Sequence, residues 1–223
     1  MLANKEQALV KRRTKGEKTR MLILAAAIEL LAKQGIKGTT HRAIAAHANI
    51  QLSLTTYYFK DIQQLIQQAF ELNTHNATTA IPQLWQPILS LLAQQNKVEL
   101  RRVKVRLELQ HQLADLFLKL IILNIENHRN QLIVEQQLCN EIQRSPSLRL
   151  LAEQHNLAQL DPCIQVCQYF NKGLAKVNGQ ILLTLLRQAQ YQQLLANQSI
   201  LSSDDIRNFL LQTLAIVLGI KPQ

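Results

Sequence analysis

The 223-residue chain is 47% hydrophobic and 18% charged, proportions of a globular protein that exclude a disordered one. Six glycines and five prolines are too few for a β-sandwich or barrel, which turns about every 8–12 residues, and three cysteines exclude a disulfide scaffold. Leu, Ala and Gln dominate, so the composition points to a mostly helical intracellular protein. The net charge of +10, with seven bases against two acids in residues 1–20, points to a polyanionic partner, nucleic acid or an anionic membrane.

Residues 1–15 lack a burial period and read as a mobile basic arm. From Glu17 to Gln34, the residues Leu24, Ala27, Ile28 and Leu31 recur at helical steps and predict an amphipathic helix. Gly35 suits its C′ position. The basic head followed by Met21–Ile28 imitates a secretion signal, but Glu29 and Lys33 interrupt the apolar run. Thr40 is placed to cap a short helix from His41 to about His47, and Asn49 to end it in the left-handed conformation. A helix from Leu52 to about Phe59 follows at once, and Asp61 caps a fourth that runs through Leu65, Phe70 and Leu72.

Beyond His75 the pattern stays helical. Ile81–Gln95 opens with Pro82 in its first turn. Lys97–Gln110 reads as helix although Val103, Val105, Leu107 and Leu109 alternate, since a lone strand in a helical chain has no partner. Leu113–Arg144 contains two helices bending near Asn127–Asn130, and Ser145-Pro146 stops them. Pro146 opens a short helix to about Asn156, and Asp161-Pro162 starts another towards Asn197 with Gly173 and Gly179 inside it. Ser202-x-x-Asp205 resembles a capping box for the last helix, Asp204–Leu218, stopped by Gly219 and Pro222. No apolar run approaches the roughly 18 residues that a membrane span requires, so the chain reads as cytoplasmic.

Thr40 to Phe59 carries the functional signal. Two short helices joined by a tight turn form a helix-turn-helix, whose second helix enters the major groove. Ile44 and Ala48 point inward, Ala45 is small where the helices approach, and Ile50 plugs the turn. Gln51, Ser53, Thr55, Thr56 and Tyr57 all carry hydrogen-bonding groups, as a helix facing base edges and phosphates requires. Three of the few aromatics adjoin at Tyr57-Tyr58-Phe59. Phe59 reads as a core plug, and because three consecutive helical residues span too wide an arc for one stripe, at least one tyrosine turns its hydroxyl outward.

Residues 20–70 resemble the N-terminal domain of the tetracycline-repressor family of bacterial regulators. The matching pieces are Ile23-x-x-Ala26-Ala27, Gly35, Thr40-x-x-x-Ile44-Ala45-x-x-Ala48-x-Ile50, Thr56-Tyr57-Tyr58-Phe59 and Leu65. The resemblance implies a homodimer on a palindromic double-stranded DNA operator, touched by Thr40, Arg42, Gln51, Ser53, Thr55, Thr56 and Tyr57. The chain departs from the family at Asn49 and Ser53, where glycine is usual, and at Ile62, where lysine is frequent; Lys60 takes over that phosphate contact. Leu138-x-x-Glu141-x-x-Arg144-x-Pro146-x-Leu148-Arg149 is similar to a helix ending in the family's second domain. By the same resemblance, Pro162–Asn197 and Asp204–Leu218 form an intersubunit four-helix bundle, with Leu210, Leu214, Val217 and Leu218 as an apolar seam.

The expected architecture is all-α: a basic arm (1–16), a helix-turn-helix domain with its linking helix (17–75), and a helical effector-binding and dimerisation domain (76–223). The expected function is a ligand-responsive repressor. The effector pocket is expected among the helices of 80–180, with Trp85 as a candidate lining residue and a neutral, greasy molecule suiting the composition. The alternative is a helical enzyme or a membrane-surface protein docking its basic head on lipid, against which the hydroxyl-rich face of 51–57 argues. No catalytic triad, paired carboxylates or phosphate-cradling glycine loop is present, so neither enzymatic activity nor a cofactor is expected. Cys163 and Cys167 share a helix face, but two ligands do not close a metal site, which leaves a thiol sensor or simple packing. Arg101, Arg102, Lys104 and Arg106 read as a solvated basic face or an anion site.

Overall fold

A computed structural model describes residues 2–141, 146–195 and 202–220, in which all regular structure is helical. The helices are α1 (Leu2–Gly38), α2 (His41–His47), α3 (Leu52–Tyr58), α4 (Ile62–Ala93), α5 (Val103–Glu141), α6 (Pro146–Gln168), α7 (Ala175–Leu195) and α8 (Ser203–Leu218), with a 3-10 turn at Glu99–Arg101 before α5. Arg144, Ser145, Asn197 and Pro222 lie outside the described residues.

Contacts divide the chain into two compact units, one of residues 1–76 and 130–151, the other of 77–129 and 152–223. In the first unit, Ile23, Leu31, Ile44, Phe59, Leu65 and Phe70 are fully or almost fully buried. The end of α5 belongs with them: Gln137 Nε2 donates to the Leu31 carbonyl at 2.7 Å and Asn73 Nδ2 to that of Gln131 at 3.2 Å. The second unit buries Trp85, Ile88, Leu113, Phe117, Cys163, Val166, Leu182, Leu210 and Leu214 in one cluster. No described helix is long and apolar enough to cross a membrane.

Local signals fix many boundaries. Gly35 interrupts α1 with φ 69° and ψ −176°, a region that essentially only glycine occupies. The hydroxyl of Thr39 closes that corner by donating to the Gly35 carbonyl at 2.8 Å. Asp61 Oδ1 accepts from Gln64 N at 2.8 Å at the start of α4. Ser202 and Asp205 form a reciprocal capping box on α8. The bend predicted near Asn127–Asn130 is present inside α5 as His128, at φ −131° and ψ 22°.

Four expectations are corrected. The N-terminal arm is helical in its backbone from Leu2, continuous with α1. α4 runs unbroken past His75 and holds Pro82 and Pro87 in its interior. α6 likewise passes through Pro162, and the chain breaks at Tyr169–Leu174 instead, so Gly173 lies between helices and only Gly179 within α7. Proline inside a helix costs about 3 kcal/mol, but burying each of Leu160 and Val166, which flank Pro162 on the core side, returns about 1.5–3 kcal/mol. Asn171 Oδ1 sets the new start by accepting from the backbone of Gly173 and Leu174. Finally, Leu210, Leu214, Val217 and Leu218 are buried in the chain's own core, which removes them as an intersubunit seam.

Candidate nucleic-acid interface

Thr40 begins the site. Its hydroxyl accepts from Ala43 N at 3.2 Å, capping α2, and Arg42 stands exposed in the first turn. Ile44 and Ala45 are buried, and Ala48 and Ile50 are half-buried. The turn to α3 passes through Asn49 at φ 52°, where the short amide side chain tolerates the left-handed region. Ile50 N then bonds the Ala45 carbonyl at 3.0 Å, which holds the two helices at a fixed angle.

α3 has two contrasting faces. Thr55 and Phe59 are completely buried. Gln51, Ser53, Thr56, Tyr57 and Lys60 are exposed, and Tyr57 keeps 79% of its surface open. Ser53, Thr56 and Tyr57 recur at three- and four-residue steps and so share one stripe, and Lys60 follows just past the helix end at the extended Phe59. Tyr57 and Tyr58 meet edge to face at 5.0 Å between centroids, which restricts the exposed ring. Thr56 donates its hydroxyl to the Ser53 carbonyl at 3.1 Å.

Thr55 is the exception among the predicted contacts. Its hydroxyl donates to the Leu52 carbonyl at 2.8 Å inside the unit, so it cannot reach a base edge from this position. Its place is dictated by helical spacing from Phe59, four residues on. Leu52 was absent from the predicted set yet is 44% exposed between Gln51 and Ser53. The signal for it was in the sequence: an apolar residue at the start of a recognition helix can meet a thymine methyl.

Supports lie behind this face. Arg20 places its guanidinium 5.7 Å from the centroid of the Phe59 ring and donates to Gln68 Oε1 at 2.6 Å, so one base of the charged head braces α1 against α4. Lys60 N is held by Gln64 Oε1 at 2.8 Å. His47 bonds Glu29 across α2 and α1.

Residues 23–69 match the family model of bacterial regulatory proteins, tetR family. The chain thus carries a segment of the kind found at the N-terminus of tetR-family regulatory proteins. Beyond that segment the likeness is one of fold. A structure described as a TetR-family transcriptional regulator from Mesorhizobium loti shares 14% identity over 92% of this chain and 96% of its own, with a TM-score of 0.63. A regulator from Saccharomonospora viridis in complex with choline shares 18% over 87% and 94%, also at 0.63. Multidrug binding protein EbrR, complexed with proflavin, shares 21% over 87% and 99% at 0.52. No curated protein matches the sequence. The matched segment thus sits in a chain whose fold resembles that of these regulators over 87–92% of its length.

The remaining candidates divide between the interior and the open surface. Cys163 and Cys167 are fully buried; burial pushes the Cys163 thiol far above its ordinary value and that of Cys167 up to about 12. Among the described residues no three metal-ligating side chains come together. Of the basic run, Arg101, Arg102 and Lys104 are exposed, whereas Arg106 turns inward to donate to the carbonyls of Leu100 and Leu218.

Proposed function

We propose that the protein is a homodimeric, ligand-responsive transcriptional repressor that binds a palindromic operator in the cytoplasm. The observation that carries this reading is the exposed polar stripe of α3, held rigid over the buried Thr55 and Phe59. Gln51 and Ser53, with Leu52 beside them, meet base edges; Thr40, Arg42, Thr56, Tyr57 and Lys60 meet phosphates. The dimer forms through the outward faces of α7 and α8, where Val177, Thr184, Tyr191 and Ile216 are exposed at helical spacing. Two copies of α3 then occupy successive major grooves about 34–36 Å apart, and an effector acts by favouring a spacing that does not fit. Choline and proflavin, held by two of the similar structures, support the reading that a small molecule is the effector.

Selection from random duplexes tests the reading. An inverted repeat with half-sites one helical turn apart is the expected result, and its absence rejects the proposal. Tyr57→Phe weakens binding to every duplex, whereas Gln51→Ala relaxes preference at one position by about 1–3 kcal/mol.

A further inference from the structure

Within the second unit, α4 and α6 line an open groove of about 690 Å³, a size that suits a drug-like molecule. Its α6 wall is the face opposite to Cys163 and Cys167, with Asp161, Pro162 and Tyr169 at helical spacing; Trp85 and Pro82 stand on the α4 wall. Trp85 is anchored from behind by an edge-to-face contact with Phe117 at 5.6 Å.

Three features give the groove one electrostatic sign. Among the described residues, Asp161 is the sole ionisable carboxylate in the lining, and no lysine, arginine or histidine of theirs lies there to neutralise it. The carboxylate accepts from the neutral amide of Gln165, whose Nε2 donates to Oδ2 at 2.6 Å. Both prolines add to this. Pro82 and Pro162 have no N–H, so the carbonyls four residues earlier, those of Thr78 and Ala158, lose their helical donors. Thr78 and Ala158 are themselves lining residues. A carboxylate, two carbonyls short of a donor and two aromatic π-systems make a site for positive charge.

The geometry points to an organic monocation with an apolar or aromatic body as the ligand of this groove. Asp161 is the counter-ion, Trp85 and Tyr169 flank the charged group, and the aliphatic wall takes the remainder. This assignment differs from the neutral molecule expected from composition. It rests on the effector reading above only for its regulatory consequence, since binding is measured on the protein without DNA.

Trp85 is the only tryptophan, so quenching of its emission reports occupancy directly. Three dyes are titrated: cationic ethidium, neutral Nile red and anionic anilinonaphthalene sulfonate. Saturable quenching by ethidium is expected, with the anion at least 10-fold weaker. Asp161→Asn, an exposed change that spares the fold, weakens ethidium about 5- to 10-fold, as loss of one partly screened charge contact does, and leaves Nile red unmoved. Pro162→Ala, which returns an N–H to the Ala158 carbonyl, weakens ethidium several-fold. Equal binding of all three dyes, or an Asp161→Asn protein that binds ethidium as before, overturns the assignment. Operator binding without dye, measured in parallel, keeps its failure distinct from failure of the regulator reading.

Discussion

His47 Nε2 lies 2.8 Å from the Oε2 of Glu29, joining the last residue of α2 to the middle of α1. The hydrogen bond from His47 is the chief reason the Glu29 carboxyl sits below its ordinary value, with Lys33 adding to it. A depressed carboxylate stabilises the fold above its unfolded pKa and loses that contribution as pH falls through the folded one. The loss therefore falls below about pH 4.3, the reference glutamate value. Glu29→Gln removes this part of the acid limb. Because the pair is partly exposed, the difference at neutral pH is about 0.2–1 kcal/mol. Urea melts of both proteins between pH 3 and 7 should converge at the acid end; parallel curves would show that the pair contributes nothing.

Thr55 and Tyr57, two residues apart, should respond oppositely to substitution. Thr55→Val removes a buried hydroxyl bonded to the Leu52 carbonyl and lowers stability by about 0.5–1.5 kcal/mol, with base preference unchanged in the folded fraction. Tyr57→Phe leaves the melting temperature in place, because the ring is largely exposed, and weakens DNA binding. Thermal melts paired with binding to a selected duplex separate the two. A changed sequence preference in Thr55→Val would return that residue to the interface.

The helix-turn-helix was legible in the sequence because its constraints are local. Thr40 caps, Asn49 takes positive φ and Ile44 faces inward, each within a few residues of what it controls. Thr55 was misplaced because its hydroxyl suits a base edge and a backbone carbonyl equally; only the packing of α3 chooses. Farther along, Pro82 and Pro162 read as starts because proline favours the first turn. Here tertiary burial on both sides carried the helix through them, and that burial involves residues far away in sequence. The same holds for Leu210 and Leu214: an apolar stripe declares that something covers it, not whether the cover is the same chain or a second copy.

The cysteines make a simple prediction from burial. Cys139 is exposed, whereas Cys163 and Cys167 are buried with raised pKa values. The reacting species is the thiolate, so at pH 8 an aromatic disulfide reagent should modify Cys139 quickly and the other two only after unfolding. Diamide or peroxide should leave operator binding intact in a Cys139→Ser protein. Loss of binding there would show that the buried pair senses oxidation after all.

Gly179 sets how closely α7 approaches α6. A methyl group placed there would lie 2.7 Å from Ile164 Cγ1 and 3.0 Å from the backbone nitrogen of Ile164. In an isolated helix, alanine would be favoured over glycine by about 0.5–1 kcal/mol. In this protein the steric term outweighs it, because the close atom on one side is backbone and cannot rotate away. Gly179→Ala should therefore lower stability by about 1–3 kcal/mol, the usual cost of overpacking. Trimming the neighbour in an Ile164→Val/Gly179→Ala double variant should recover only part of this, since the backbone contact persists. Chemical denaturation of the two single variants and the double gives the coupling directly. A Gly179→Ala protein as stable as the parent would mean that α6 and α7 separate without cost.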